Sequence, residues 1–488
     1  MKRFPSVGLR VVAMVVAVGC GVEAPVAAWG QSLGAPSQPA AQQQVPQTAE
    51  QRSKALSDLL EEIWQDRLKH SPEFASFLGD KRYNDQWSDY SIKAINASLE
   101  RGRNFLDRLG SIDTAGLKPQ EVLSRDLMIR DLTDAQEAAH FKEWEMPVNQ
   151  VDGFQTDIVQ MVNDLSFETV KDYDDYITRL KTMPTVFSQN MTNMELGMEE
   201  HRVPPAYLLE KVVTQTEAIG NQKPEESPFA APMKKFPASI TPDQRKRISR
   251  EMAEAIVTTV LPTYQRFARF LKAQYVPAGR KEPGIWSIPE GDAYYAFLVR
   301  RSTTEDKTPD QIHQIGLEEV KRDEADMLAI AKKLGFQDLK SFNAAMKTNP
   351  KLHPTSKDAL IDAYKKNIAQ MQPKLPQLFG TLPKAQLEVV PVPAYIEKEQ
   401  APAYYYPGSQ DGKRPGRVYI NTYNFADRSL ASVEAVSYHE GIPGHHLQIS
   451  IAQELTGLPS FRKQENFTAY TEGWGLYSER LGKEVGFY

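Results

Sequence analysis

Cysteine occurs once in 488 residues, at Cys20, so the chain has neither an internal disulfide framework nor an all-cysteine metal site. No apolar run approaches the roughly 18 residues of a membrane-spanning helix. Neither sign of charge dominates: 58 Lys and Arg face 63 Asp and Glu, a formal net charge of −5. With no basic cluster, nothing marks a nucleic-acid footprint. Histidine is scarce, eight in all, which makes any local concentration of it informative. What is present is globular: 41% hydrophobic and 25% charged residues, in a chain long enough for one large core or two medium ones.

The first residues read as an export signal. Lys2, Arg3 and Arg10 precede the apolar stretch from Val11 to Val18, the n- and h-regions of a signal peptide. Gly19, Gly21, Pro25 and Gly30 follow at once and argue against a buried helix. Two processing routes stay open. Ala17-Val18-Gly19-Cys20 resembles a lipoprotein signal with Cys20 as the lipidation site, and Ala28-Trp29-Gly30 is an ordinary small-x-small site. The expectation is a signal over 1–30, a disordered Gln/Pro/Ala/Ser linker over 31–53, and a location in the periplasm or outer envelope, with or without a lipid anchor.

From residue 54 to 386 the pattern is helical. Leu56, Leu59, Leu60, Ile63 and Leu68 share one helix face that ends near Ser71-Pro72. Thr241-Pro242-Asp243-Gln244 and Thr308-Pro309-Asp310-Gln311 are two helix starts of the same design. After the second, Ile312, Ile315, Val320, Met327, Ala331 and Leu334 predict a long amphipathic helix. Gly220 to Ser239, with its prolines, reads as a surface loop. The region 387–488 differs. Leu387 to Val390 and Gly416 to Thr422 alternate as strands, so the fold class expected is mainly α with a small inset antiparallel sheet.

Tyr438-His439-Glu440-Gly441-Ile442-Pro443-Gly444-His445-His446 gathers three of the eight histidines beside a glutamate. Two imidazoles and an adjacent carboxylate form the chemistry of a hydrolytic zinc site, with Glu440 as general base on a zinc-bound water. The spacing is unusual. Histidines at i and i+4 lie about 6 Å apart along a helix, whereas i+6 or i+7 spans roughly 9–10 Å. Pro443 and Gly444 supply the break needed: a local bulge absorbing two or three residues would bring His445 or His446 beside His439. A third ligand is expected from the helix Thr471 to Glu479, where a glutamate would complete a His₂Glu set. The competing reading takes Glu465, Glu472 and Glu479, spaced by seven, as a solvated acidic stripe.

The segments His439 to Gln448 and Glu472 to Glu479 resemble the His-Glu-x-x-Pro-Gly-His-His-x-Gln and Glu-Gly-Trp-x-Leu-Tyr-x-Glu hallmarks of the bacterial family DUF885, and further likeness runs over residues 54–488. The resemblance implies a zinc peptidase with one Zn²⁺ per chain. Its metal would be held by His439, by His445 or His446, and by Glu472. It also implies that Arg417, Tyr419 and Asn421 lie on an edge strand receiving an extended peptide. Family members continue well past the second hallmark, so an end at Tyr488 implies truncation. Two functions are therefore expected. One is zinc-dependent hydrolysis of peptides in the cell envelope, and the alternative is a non-catalytic lipoprotein that binds peptides or acts as a scaffold.

Overall fold

The computed structural model describes residues 48–488; the export signal, Cys20 and most of the expected linker lie outside them. Helix α1 (Ala49–His70) starts inside the stretch read as linker. The reason is a capping box. Thr48 Oγ1 accepts from the Gln51 N–H at 3.2 Å, and Gln51 Oε1 accepts from the Thr48 N–H at 2.8 Å. Two donors otherwise orphaned at the helix end are thereby satisfied.

Helix α1 packs with α2 (Pro72–Leu78), α3 (Ile92–Gly110) and α4 (Pro119–His140) around Leu56, Leu60, Leu68, Leu109 and Met128. A larger core lies among α5 (Phe154–Asp164), α6 (Val170–Glu199), α7 (Ala206–Gly220), α8 (Pro242–Ala255) and α9 (Leu261–Phe270). The short α10 (Val276–Ala278) continues α9 through a π-helical turn, Leu271–Tyr275. Residues 220–239 are more than a surface loop: Phe229 is fully buried, and its carbonyl accepts a hydrogen bond from Tyr176 at 3.0 Å. Both Thr-Pro-Asp-Gln starts form the capping boxes expected of them.

Next come α11 (Gly291–Thr303), α12 (Pro309–Lys333), α13 (Leu339–Thr348), α14 (Lys357–Met371) and α15 (Leu375–Leu378). Helix α12 has the expected length but not the expected burial. Ala331 is its one buried residue, while Val320, Met327, Ile330 and Leu334 are exposed. Periodicity fixes which residues share a face, not whether another element covers it.

The inset sheet holds β1 (Leu387–Pro391), β2 (Ala403–Tyr406) and β3 (Gly416–Ile420) in the order β1-β3-β2. It is mixed rather than antiparallel. β3 runs parallel to β1, with Leu387 opposite Gly416, and antiparallel to β2, with Ala403 opposite Ile420. β3 is therefore the central strand, not the edge strand that the resemblance implied for Arg417, Tyr419 and Asn421, and β2 lies at an edge. Below the sheet, α16 (Leu430–Glu440) packs on α14 through Val433, Leu360 and Tyr364. Helices α17 (His445–Glu454) and α18 (Thr468–Glu484) end the chain.

Candidate metal centre

His439 and Glu440 end α16, whose buried side is formed by Val433, Ser437 and Tyr438. The helix then stops outright instead of bulging. Residues 441–444 form a turn with a cis Ile442–Pro443 bond, and His445 is the first residue of a new helix, α17. Gly444 has a defined part in this. A Cβ there would meet the His439 carbonyl oxygen at 1.9 Å, so only glycine allows the turn to close so tightly. The turn brings the His439 and His445 rings to 4.7 Å between centroids, at 89°.

Helix α18 closes the site from the other side. Trp474 Nε1 donates to the Pro443 carbonyl at 2.9 Å, tying α18 to the turn. Gly475 lets the helix approach, since a Cβ at that position would lie 2.5 Å from the His439 ring. Glu472 then reaches both imidazoles. Its Oε2 is 3.3 Å from His439 Nε2 and its Oε1 is 3.7 Å from His445 Nε2. Ligand atoms of His439, His445 and Glu472 all lie within 4.8 Å of one another. Two imidazole nitrogens and a carboxylate oxygen converging in this way fit the donor set of a catalytic zinc site.

Glu440 stands beside this trio, its Oε2 4.0 Å from His445 Nε2. Burial pushes its carboxyl up to about 7, against the lowering effect of His439 and of the Tyr405 N–H. The His445 ring is pushed down to about 4, chiefly by burial. A neutral imidazole is the form that binds a metal.

His446 is not part of the cluster. Its Nε2 faces the Ala385 carbonyl at 3.3 Å, which leaves Nδ1 to accept from the Tyr405 hydroxyl at 3.0 Å. It joins the approach to β1, the edge strand β2 and helix α17. Burial lowers its ring to about 4, so it makes these bonds neutral. Of the two histidines left open by spacing, the geometry brings His445 beside His439 and Glu472.

The expected peptide-binding trio is occupied by the sheet itself. Arg417 Nε donates to Glu388 at 3.2 Å across the β1–β3 pair. Tyr419 is buried and stacks on Tyr404 at 5.0 Å. Asn421 donates to the Glu397 and Gln400 carbonyls. A central strand spends its backbone and its inward side chains on its two neighbours.

One residue of the site was passed over in the sequence. Glu479 Oε1 lies 2.8 Å from His439 Nδ1, the ring nitrogen that Glu472 does not meet. The signal was the seven-residue spacing: two glutamates two helical turns apart share a face. That face meets His439, while Glu472 stays 56% exposed.

The family model for bacterial proteins of unknown function, DUF885, matches residues 72–488. A crystal structure described as "the putative lipoprotein from Colwellia psychrerythraea" shares the fold with a TM-score of 0.82 at 23% identity, covering 90% of this chain and 79% of that one. A second structure, "a putative lipoprotein of unknown function" from Shewanella oneidensis, gives a TM-score of 0.57 at 16% identity, covering 90% and 78%. No curated protein matches the chain. With both hallmark segments inside the matched span, this chain belongs to the DUF885 family of bacterial proteins.

Proposed function

We propose that the protein is a zinc-dependent peptidase of the cell envelope. One observation carries this reading: His439, His445 and Glu472 converge within 4.8 Å, and the carboxyl of Glu440 lies alongside. Zinc held by those three residues would supply Lewis-acid polarisation of a scissile carbonyl. Glu440 is the group that accepts a proton from the attacking water and returns it to the leaving amine. Its place beside the trio, Oε2 4.0 Å from His445 Nε2, puts it within reach of a water at that centre. The peptide backbone has a place to lie. β2 is an edge strand, and the Tyr405 N–H faces Glu440, so β2 takes the role the resemblance implied for β3. The envelope location rests on the export signal and on neighbours described as lipoproteins. Among the described residues no helix is long and apolar enough to cross a membrane.

The test begins with metal content. Residues 48–488 should carry about one zinc per chain, and His439→Ala none. Glu440→Gln should keep the metal and lose peptide cleavage by at least a hundredfold, the scale of a general base. Full cleavage by Glu440→Gln would overturn the role of Glu440. Saturable peptide binding with no cleavage by the parent protein would transfer the function to the scaffold reading.

A further inference from the structure

His446 follows His445 by one peptide bond, yet its buried ring is spent on the sheet. Its Nε2 faces the carbonyl of Ala385, just ahead of β1, and its Nδ1 accepts from the hydroxyl of Tyr405 on β2. Gly416, the first residue of β3, lies against the same pair. A Cβ there would sit 2.8 Å from His446 Nδ1 and closer still to the Tyr405 hydroxyl. Glycine at this position leaves the room that the Tyr405–His446 bond needs.

The Tyr405 end of the bond is where position matters. β2 is four residues long and pairs with β3 alone among the described strands. Tyr404 stacks on Tyr419, and Tyr406 donates to Asp164, so these two side chains hold the strand on one face of the sheet. Ala403 and Tyr405 alternate to the other face, where they lie in one apolar cluster with Val433 of α16. Ala403 has no polar group. The Tyr405 hydroxyl is therefore the polar side-chain tie from β2 toward the helices that carry the cluster. The N–H of the same residue faces Glu440. Tyr405 thus meets the neighbour of His445 through its side chain and Glu440 through its backbone.

We propose, on the reading of β2 as the strand that receives a peptide, that Tyr405 and His446 are positioning residues. Their hydrogen bond holds the free edge of β2 level with His445 and Glu440, so that a backbone paired to that edge passes the cluster. The requirement is strict. A slip of one residue along a strand is roughly 3.3 Å and turns every side chain to the other face. A displacement of about 1 Å at a reacting group costs on the order of a hundredfold in rate. A hydroxyl that merely satisfied a buried ring nitrogen would affect stability and nothing else.

The probe is oxidised insulin B chain, an extended peptide without disulfides. It is titrated calorimetrically into the full chain after exhaustive chelation, so that nothing is cleaved and the outcome does not depend on the metal. Tyr405→Phe removes one oxygen and should weaken binding by about tenfold, the scale of one backbone hydrogen bond out of line. His446→Leu should show the same loss. His446→Gln, whose amide can both donate to Ala385 and accept from Tyr405, should recover most of it. With zinc restored, Tyr405→Phe should keep the metal content of the parent and show a raised KM. Parent-like affinity in Tyr405→Phe and His446→Leu, equal affinities for His446→Leu and His446→Gln, or no saturable binding by the parent would each overturn the proposal. If Tyr405→Phe fails to fold, the two His446 variants decide. A parent that binds the peptide in this pattern but holds no zinc or cleaves nothing would overturn the peptidase reading alone.

Discussion

His439 is held from both ring nitrogens, and the two partners do different things. Glu472 meets Nε2 on the side where His445 also points, whereas Glu479 accepts from Nδ1 at 2.8 Å and so fixes which nitrogen is free for a metal. Glu479→Gln should therefore weaken zinc binding by about 10–100-fold, the usual scale for a carboxylate that orients a ligating histidine. Chelator competition measures this, with the unfolding midpoint of the metal-free protein as the control. An unchanged affinity would return Glu479 to the solvated stripe. The same scale shows why His446 was ambiguous. Adjacent histidines at the start of a helix point about 100° apart, so only one of them can face the cluster. Which one does so depends on the Tyr405 hydroxyl and the Ala385 carbonyl, neither of which is near in sequence.

Elements decide how closely these groups approach. Helix α18 lies against α16 at Gly475, where a methyl group would sit 2.5 Å from the His439 ring. Gly475→Ala should displace that ring and abolish stoichiometric zinc binding, although alanine is the better helix former by about 1 kcal/mol. Metal analysis beside circular dichroism separates the two effects. Retained zinc would mean that α18 can shift outward without loss. The two capping boxes offer a matched pair. Thr241 starts α8, which lies in the main core, and Thr308 starts α12, which buries only Ala331. Removing an N-cap hydroxyl costs about 1 kcal/mol of helix stability. Thr241→Ala should lower the global urea midpoint. Thr308→Ala should instead accelerate amide exchange in the first turns of α12 and leave the global midpoint nearly unmoved.

Across the whole molecule, buried titratable groups make stability depend on pH in two opposed ways. The His446 ring is lowered from 6.5 to about 4, so the unfolded chain binds the proton more readily between those values. Its contribution is complete above about pH 6.5 and is lost as pH falls toward 4. Glu465 is raised from 4.5 to about 7, so here the folded state holds the proton more firmly. Its contribution is complete below about pH 4.5 and is lost as pH rises through 7. Urea midpoints taken across this range should show His446→Gln flattening the rise from 4 to 6.5 and Glu465→Gln removing the decline from 4.5 to 7. Equal slopes in parent and variant would show that the group titrates alike in both states. The sequence by itself determined the helical class, the capped helix starts, the strands at 387 and 416, and the histidine–glutamate segment that ends α16. All of these rest on neighbours within a turn or two, where propensity, capping and periodicity act. Only the tertiary structure decided that β3 is central and β2 lies at the edge, that the apolar stripe of α12 is uncovered, that His445 and not His446 joins the cluster, and that Glu479 faces a histidine. Each of these depends on which distant segment packs against which, and local pattern carries no record of that.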